Sequence, residues 1–367
     1  MAKAPSSLRG RSSLLTRLDV PGRSSVAAGE ADSLRAARIP HWICAFARKL
    51  MLLTSTLACG SAAVAMPNVS PPQAEIFMPG IISGGANDGA PTFSPDGSTL
   101  YFERTNGRWA AILVARKKGS GWGRPKLAEF SGHFSDQQPA FSPDGKYLIF
   151  VSTRPRESEC VGCPKDVSHL YRVDRTPTGW TAPHELPPEV NFRDRIFKPS
   201  VAANGDLYFM ADIGASGTKW RLFRSRRGGA GYAAAEALEF SGENDGDVDP
   251  YIARDQSFVI FSSNHRGDRP DGHEHLYIVR RQSDGWSAAE QLHYEGEGPW
   301  DDGEASVSPD GQWLYFTSAR TVAGRKERGR AAALRDLSAI ERWDNSNNNV
   351  WRVSISAARS QRTIQDN

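Results

Sequence analysis

One position in the chain varies between otherwise similar stretches and carries side chains able to do acid–base chemistry. It stands immediately before a recurring proline, or before Ala305 in the last stretch, and is occupied by Ala90, Gln138, Lys198, Asp249 and Glu304. Two converging carboxylates can act as general acid and general base, and a lysine can tune one pKa. Asp249 and Glu304 are therefore the candidate catalytic pair. The candidate ligand-binding set is Gln138, Lys198, Asp249, Glu304 and Arg195, and the alternative is a solvated funnel held by ion pairs.

A second stretch is dense in oxygen ligands. Acidic residues alternate with other residues from Glu243 to Asp249. Calcium takes about six to eight oxygen ligands, often from such loops. Asp245 and Asp247 are the candidate ligands, and the alternative is an ordinary polar loop, because no complete calcium-loop pattern is present. No other cofactor is expected.

Cysteine and histidine pairs are the remaining candidates for metal or redox chemistry. Cys160 and Cys163 lack a following histidine or a second cysteine pair, so we expect a disulfide that closes a long loop, with free thiols or redox work as the alternative. His273 and His275 share one face of a strand, but zinc needs more ligands, which favours a surface strand edge. The sequence contains no Gly-x-Ser-x-Gly elbow and no phosphate loop, which argues against a serine peptidase.

A carboxylate recurs two residues before that variable position. Asp88, Asp136, Asp247 and Asp302 occupy it in four stretches, and Ile196 in the other. Such recurrence favours a structural cap on backbone N–H groups, with a ring of functional carboxylates as the alternative.

The element that must position all these residues is a repeat marked by the turn Ser-Pro-Asp-Gly or a variant of it. The side chains at its Asp/Asn position are Asp96, Asp144, Asn204, Asp255 and Asp310, spaced by 48, 60, 51 and 55 residues. Asp supplies an acceptor for the turn backbone and Gly can take a positive φ, so these five residues are interpreted as structural.

Each turn is followed by the same order of apolar runs. A run such as Leu100–Phe102 comes first, then a second strand such as Ile112–Val114, then Gly-Trp or Gly-Tyr and, five or six residues later, a leucine (Leu127, Leu186, Leu238 or Leu292). Four strands per repeat at this spacing predict an all-β propeller of five four-stranded blades, with six as the alternative. Residues 74–83 would supply the strand that closes the circle.

The chain outside the repeats has a composition of its own. Residues 1–50 contain nine Lys/Arg and three Asp/Glu and residues 51–65 contain no charge, so residues 66–367 carry −3 of the formal +3. Residues 1–65 are predicted to be a disordered leader and signal peptide cleaved after Ala65, and the alternative is a lipid anchor at Cys59. We expect no nucleic-acid partner, because the basic residues lie in this leader.

The propeller is assigned to residues 74–357, with an insertion at 321–347 and a C-terminal tail at 358–367. Within the insertion, Ala331–Trp343 has helical spacing and is followed by an asparagine-rich tract. The insertion is interpreted as a short helix at one rim, or as an element that binds a partner.

The pattern Pro-x-Phe-Ser-Pro-Asp-Gly-x-x-Leu-x-Phe, followed by Leu-Tyr-x-Val and Gly-Trp, resembles the WD-type repeat of TolB-like periplasmic proteins over residues 74–355. The resemblance implies a propeller fold and a periplasmic or secreted location. Because only about ten residues separate the expected cleavage site from the first strand, we expect no amino-terminal domain like that of TolB, and a role in the Tol complex is not implied. Together these observations predict an exported binding module for an envelope protein, peptide or glycan, and the alternative is a carbohydrate-active enzyme that uses channel-mouth carboxylates.

Overall fold

The protein is a five-bladed β-propeller in the computed structural model. The structure describes residues 73–155, 167–214, 219–266, 272–294, 298–320, 329–339, 342, 345–356 and 358. No helix among these residues is long and apolar enough to cross a membrane. The all-β class and five blades are confirmed, and the six-blade alternative is wrong.

The innermost strands surround the central channel, and each contacts the innermost strand of the next blade around a closed circle. Numbered in chain order, they are β2 (Asn87–Phe93), β7 (Asp136–Phe141), β12 (Ile196–Val201), β18 (Asp247–Ile252) and β23 (Asp302–Val307).

The second and third strands of each blade form an antiparallel pair outside the innermost strand. The second strands are β3 (Thr99–Thr105), β8 (Tyr147–Ser152), β13 (Leu207–Asp212), β19 (Phe258–Ser263) and β24 (Trp313–Ser318). The third strands are β4 (Ala110–Lys118), β9 (His169–Thr176), β14 (Trp220–Ser225), β20 (His275–Gln282) and β25 (Asn349–Ser354).

The outermost strand is short, and in four blades it is broken into two pieces. Its pieces, with the short partner strand β15 of blade three, are β5 (Gly121–Trp122), β6 (Lys126–Leu127), β10 (Gly179–Trp180), β11 (His184–Glu185), β15 (Arg227–Gly228), β16 (Gly231–Tyr232), β17 (Glu236–Ala237), β21 (Gly285–Trp286) and β22 (Glu290–Gln291).

The circle closes in blade five, where the two ends of the propeller share a sheet. Strand β1 (Glu75–Ile76) pairs antiparallel with β25, so an N-terminal strand completes the blade formed by the last repeat. The prediction that residues 74–83 close the propeller is confirmed.

Apolar cores lie between consecutive blades. One cluster joins Tyr101 and Ile112 of blade one to Leu148 and Phe150 of blade two. The Phe that ends each Leu-x-Phe run is fully buried in all five blades, at Phe102, Phe150, Phe209, Phe261 and Phe316. Burial of each such ring contributes roughly 1.5–3 kcal/mol, which explains why the repeat retains it.

The predicted leucine Leu127 lies in the outermost strand of blade one, but its side chain does not face the core. Leu127 is 52% exposed, whereas Ala128 is buried and donates its N–H to Ile112 O, as Leu186, Leu238 and Leu292 do to their own third strands. The register, and not the residue type, sets which side chain faces the core.

The two ends of the channel differ in their loops. At one end, called here the turn end, the first two strands of every blade are joined by five residues, and the Asp or Asn oxygen accepts the N–H two residues later, at distances of 3.0–3.1 Å. At the other end, called here the mouth, the innermost strands begin and the second and third strands are joined. Those connections are unequal: 106–109, 153–168, 213–219, 264–274 and 319–348. The last contains the helix α1 (Arg330–Ala339).

Candidate functional site

The candidate site is built on a backbone distortion that recurs at the mouth in every blade. Each innermost strand has a register shift typical of a β-bulge, between its third and fourth strand-paired positions in β2 and between its second and third in the other four strands. The residue with positive φ in each bulge is the variable residue found in the sequence: Ala90 (46°), Gln138 (50°), Lys198 (48°), Asp249 (56°) and Glu304 (54°). We call these five the ring residues.

Positive φ is costly for residues other than glycine, at about 1–3 kcal/mol each, and it persists only where the surroundings enforce it. Here the surroundings are hydrogen bonds between blades, because the N–H of each ring residue is bonded to a side chain of the preceding blade. Three acceptors are themselves ring residues: Gln138 Oε1 for Lys198 N (2.8 Å), Asp249 Oδ2 for Glu304 N (3.1 Å) and Glu304 Oε2 for Ala90 N (2.8 Å).

The N–H groups of the other two ring residues, Gln138 and Asp249, follow ring residues whose side chains cannot accept a hydrogen bond. In both cases a residue of the second strand accepts instead. Ala90 has no polar side chain, and Glu103 Oε2 from the second strand of the same blade accepts Gln138 N at 2.9 Å instead. Lys198 has only donors, and Met210 Sδ from its own second strand accepts Asp249 N at 3.4 Å. Gln138, Asp249 and Glu304 therefore have a structural role whatever they bind.

Four carboxyl groups and one ammonium meet at this ring. The charges of Glu304, Lys198 and Asp249 all act on Glu103, and those of Asp249 and Glu304 act on Glu274. Glu103, Lys198 and Asp249 are more than nine-tenths buried. No hydrogen bond or ion pair of the Lys198 ammonium occurs within the part of the chain that the structure describes.

Burial, and then the repulsion between neighbouring carboxylates, perturbs the titration of the cluster. Burial, and then the charge of Glu304, raise the pKa of Asp249 to about 7. Burial and the charges of Asp249, Asp301 and Glu304 raise the pKa of Glu274 to about 8. Burial raises the pKa of Glu103 well above its usual range, with Glu304 as the next cause. Near neutral pH the site can therefore both hold and release protons.

The predicted pair Asp249 and Glu304 lies in the same ring, but its two members differ. Glu304 accepts two further hydrogen bonds besides that from Ala90 N: Thr317 Oγ1 donates to Oε2 at 2.8 Å, and Gln138 Nε2 donates to Oε1 at 2.9 Å. Glu304 is thus committed to holding blades together. The carboxylate of Glu274 makes no hydrogen bond or ion pair within the described residues, and its pKa is raised beside Asp249.

Arg195, the fifth residue of the predicted binding set, begins blade three beside the ring. Its guanidinium lies 5.6 Å from the ring centroid of Trp220, and its carbonyl accepts the N–H of Asp212 at 3.0 Å. Arg195 therefore belongs to an aromatic and basic side of the mouth, and the carboxylates Asp249 and Glu274 come from blade four.

The recurring aspartates form a different set, buried beneath the mouth. Each pairs with an arginine from the end of its second strand, as in Asp88 with Arg104 (2.6 Å), Asp247 with Arg266 (2.7 Å), Asp302 with Arg320 (2.5 Å) and Asp136 with Arg154. Asp88 also accepts the N–H of Gly84 at 2.8 Å, as a backbone cap would. We call each pair a clasp. In blade three, Ile196 and Ile213 replace both partners with apolar side chains.

The candidate calcium ligands lie beside one clasp. Arg266 contacts both Asp245 Oδ2 and Asp247 Oδ1 at 2.7 Å. Across the described ranges, no three acidic, His or Cys side chains are grouped to hold a metal ion. The calcium site stays a prediction, and in this structure both of its proposed ligands, Asp245 and Asp247, form ion pairs with Arg266.

The histidine and cysteine pairs, the remaining candidates for metal or redox chemistry, differ in where they lie. His275 is buried at the start of β20, and His273 Nδ1 lies 3.2 Å from Asp301 Oδ1. The expected surface edge is therefore wrong for His275. Cys160 and Cys163, like Cys59, lie outside the described residues.

Glu103, Met210 and Glu274 are site residues that the sequence did not reveal. Glu103 and Met210 both follow Leu-Tyr-Phe runs, at the position that pairs with the residue before the ring residue, so their shared place in the repeat is a usable signal. Glu274 follows a connection of variable length and has no repeat position. The only feature that the sequence analysis noted there is the pair of histidines on either side of it, His273 and His275.

No protein-family model matches the chain, and no curated protein matches it. The solved structures that it resembles include a putative TolB from Agrobacterium tumefaciens, at 16% identity and TM-score 0.45, covering 75% of this chain and 80% of that one. TolB from Acinetobacter baumannii is 13% identical with TM-score 0.43, over 75% of this chain and 56% of that one. An alpha-L-arabinofuranosidase from Lactobacillus brevis is 9% identical with TM-score 0.46, over 74% and 91%.

Proposed function

We propose that the protein is a propeller binding module whose ligand is a protein or peptide held at the mouth. The observation that carries the proposal is the set of Glu103, Asp249, Glu274 and Lys198 at the mouth. Glu103, Asp249 and Lys198 are buried, Glu274 is half-buried, and these groups form no ion pair within the described residues. Burying a charged group without an oppositely charged partner is costly in the free protein, and a ligand that supplies such a partner recovers that cost on binding.

The loops support the mouth, and not the turn end, as the binding face. The turn end repeats one five-residue turn in all blades, which leaves little room for specificity. The mouth has five unequal connections, and its surface includes Trp109 and Phe192, which are 44% and 37% exposed. Aromatic side chains around a polar centre are typical of interaction surfaces.

The insertion in the last connection adds a helix and an asparagine-rich tract at the same end. Asn345 and Asn347 both donate to Gly85 O at 3.0 Å, and Asn348 N bonds Asn87 Oδ1, so the tract after α1 is tied across the seam between blades five and one. Leu334 on α1 is 57% exposed. We include this insertion in the binding face.

We further propose that the protein works in the cell envelope, in the periplasm or outside the cell. Residues 50–65 form an uncharged apolar run after Arg48 and Lys49 and end in Ala-Val-Ala, which favours export. Mass spectrometry of the mature protein tests this proposal: a chain that begins at Met66 is expected, a lipid on Cys59 would indicate an anchor, and an intact leader would contradict export.

Binding is tested by surface selection of peptides and envelope proteins on the full chain, with two matched variants. Lys198→Met removes the buried ammonium, and Lys146→Met removes an exposed lysine at the turn end. We expect ligands that lose at least about tenfold in affinity with the first variant and less than about twofold with the second. Ligands insensitive to Lys198→Met, or absent altogether, would contradict the proposed function.

A second candidate is hydrolysis of a glycan, favoured by the raised pKa values of Asp249 and Glu274. Groups that titrate near neutral pH can serve as acid and base in a paired-carboxylate mechanism. A panel of oligosaccharides with reducing-end detection tests it. Product formation by the natural chain, lost in Asp249→Asn and in Glu274→Gln, would support the enzyme, and no product from any sugar would exclude these substrates.

A further inference from the structure

We propose that the mouth contains a subsite for a primary ammonium group of a peptide, formed by the carboxylates of Asp249 and Glu274 above Gly303 and faced by the ammonium of Lys198. The inference rests on the proposed binding function and names the chemistry that it recognises. A peptide carries this group at its amino terminus or on a lysine side chain.

The geometry begins with a glycine that leaves the space open. A Cβ at residue 303 would stand 2.8 Å from Asp249 Oδ2 and 3.6 Å from Glu274 Oε2. The two carboxylate oxygens thus close over one point of the innermost strand of blade five. Within the described residues, neither carboxylate has a cationic partner at salt-bridge distance.

Lys198 supplies the second, independent observation. Its side chain belongs to a residue that is only 4% exposed, it has no partner within the described parts of the chain, and its charge acts on Asp249 without forming an ion pair. Because the Lys198 ammonium forms an ion pair with neither carboxylate, a ligand that carries both a hydrogen-bond donor and an acceptor can bind between these groups. A ligand ammonium would bind Asp249 and Glu274, and a neighbouring carbonyl oxygen would accept from Lys198.

The surrounding charges select a cation. The groups that act on the Asp249–Glu274 pair are Glu304 and Asp301, with Lys198 as the one cation acting on Asp249. Glu103 adds a further carboxyl at the ring. An anionic ligand would meet this acidic set, and no metal-ligating group of three side chains occurs within the described residues. A monovalent nitrogen cation that can donate several hydrogen bonds fits the remaining chemistry.

The pH dependence should separate the two sources of the ammonium. The pKa values of about 7 for Asp249 and about 8 for Glu274 mean that the free pair gains charge as pH rises through neutrality, so binding should strengthen there. An α-amino group loses its proton near pH 8, whereas a lysine side chain does so near pH 10, as approximate unperturbed values. Affinity for an amino terminus should therefore peak at about pH 8, whereas affinity for a lysine side chain should persist to higher pH.

The test uses random-sequence short peptides tethered by their carboxyl ends and probed with the full chain. One set has free amino termini and no lysine, a second is acetylated and lysine-free, and a third is acetylated with one lysine. We expect the first or the third set to bind at least about tenfold better than the second. Glu274→Gln should abolish that preference, because it removes a charge without removing a ring hydrogen bond, and Glu236→Gln on the exposed surface should preserve it.

The outcomes separate this inference from the proposed function. Equal binding of all three sets, lost in Lys198→Met, would overturn the ammonium subsite and leave a peptide-binding mouth. An ammonium preference that survives Glu274→Gln would also overturn it, provided that the variant melts at the temperature of the natural chain. Failure of every set to bind would overturn both.

Discussion

At the scale of single residues, the ring shows how one position serves structure and recognition together. Each ring residue gives its N–H to the preceding blade, so its backbone is fixed whatever its side chain. Where the side chain cannot accept for the next blade, Glu103 or Met210 does so. Because Met210 accepts the N–H of Asp249, the side chain at position 198 is not needed for the hydrogen bonds that join the blades.

The glycines beside the ring give a prediction at this scale. In Gly303→Ala the new Cβ would meet Asp249 Oδ2 at 2.8 Å, and the carboxylate would have to leave Glu304 N. We expect a loss of about 1–3 kcal/mol in the free energy of unfolding, measured by urea denaturation.

Gly121→Ala is the matched control, because a Cβ there meets nothing within 4 Å. Its stability should change by less than about 0.5 kcal/mol. Equal stability of the two variants would show that the Asp249 carboxylate is not fixed against the strand as described.

At the scale of elements, the five blades share one arrangement of strands and differ in single pairs of side chains. The clasp buries an aspartate and an arginine in four blades, and blade three replaces the pair with Ile196 and Ile213. Buried ion pairs are often exchangeable for apolar pairs at little cost, whereas a single buried charge left alone is expensive.

A double-mutant cycle in blade two tests this exchange. Arg154→Ile leaves Asp136, which is fully buried, without its guanidinium, and we expect it to lose about 3–5 kcal/mol of unfolding free energy. Asp136→Ile together with Arg154→Ile copies blade three and should recover most of that loss, as measured by chemical denaturation. Additive losses in the double variant would contradict the interpretation of the clasp as an exchangeable unit.

How far the sequence predicts this protein depends on whether a feature repeats. Blade number and strand order were predicted from the spacing of Asp96 and its equivalents and from the apolar runs after each turn, and the ring position from the proline that recurs after it. The closing strand was predicted from the segment 74–83, which stands before the first repeat as the outermost strands stand before the later ones. The arginine partners of the clasps were missed because their positions relative to the second strand differ: Arg104 lies within β3, whereas Arg266 lies three residues after the end of β19. Glu274 was missed because its approach to Asp249 depends on the path of a variable connection.

At the scale of the whole molecule, the buried carboxyls link stability to pH. Folding raises the pKa of Asp249 from 3.8 to about 7 and that of Glu274 from 4.5 to about 8, so the folded state binds more protons than the unfolded state between these values. The stability they contribute is fully present below about pH 4 and is lost as pH rises towards 8.

We therefore expect the unfolding free energy to fall by roughly 2–4 kcal/mol between about pH 4.5 and pH 8. Urea denaturation across this range measures it. Glu274→Gln should flatten the slope, and Glu236→Gln at the surface should not. A stability that rises over this interval would contradict the titration described for the mouth.

Hydrogen–deuterium exchange of the full chain with and without a selected peptide tests most directly whether the ligand binds at the mouth. We predict slower exchange in the segments that carry the ring residues and the mouth connections, around residues 84–90, 131–138, 191–198, 242–249 and 298–304. The turns that contain Asp96, Asp144, Asn204, Asp255 and Asp310 should exchange unchanged. Protection confined to those turns, with none at the mouth, would contradict the account.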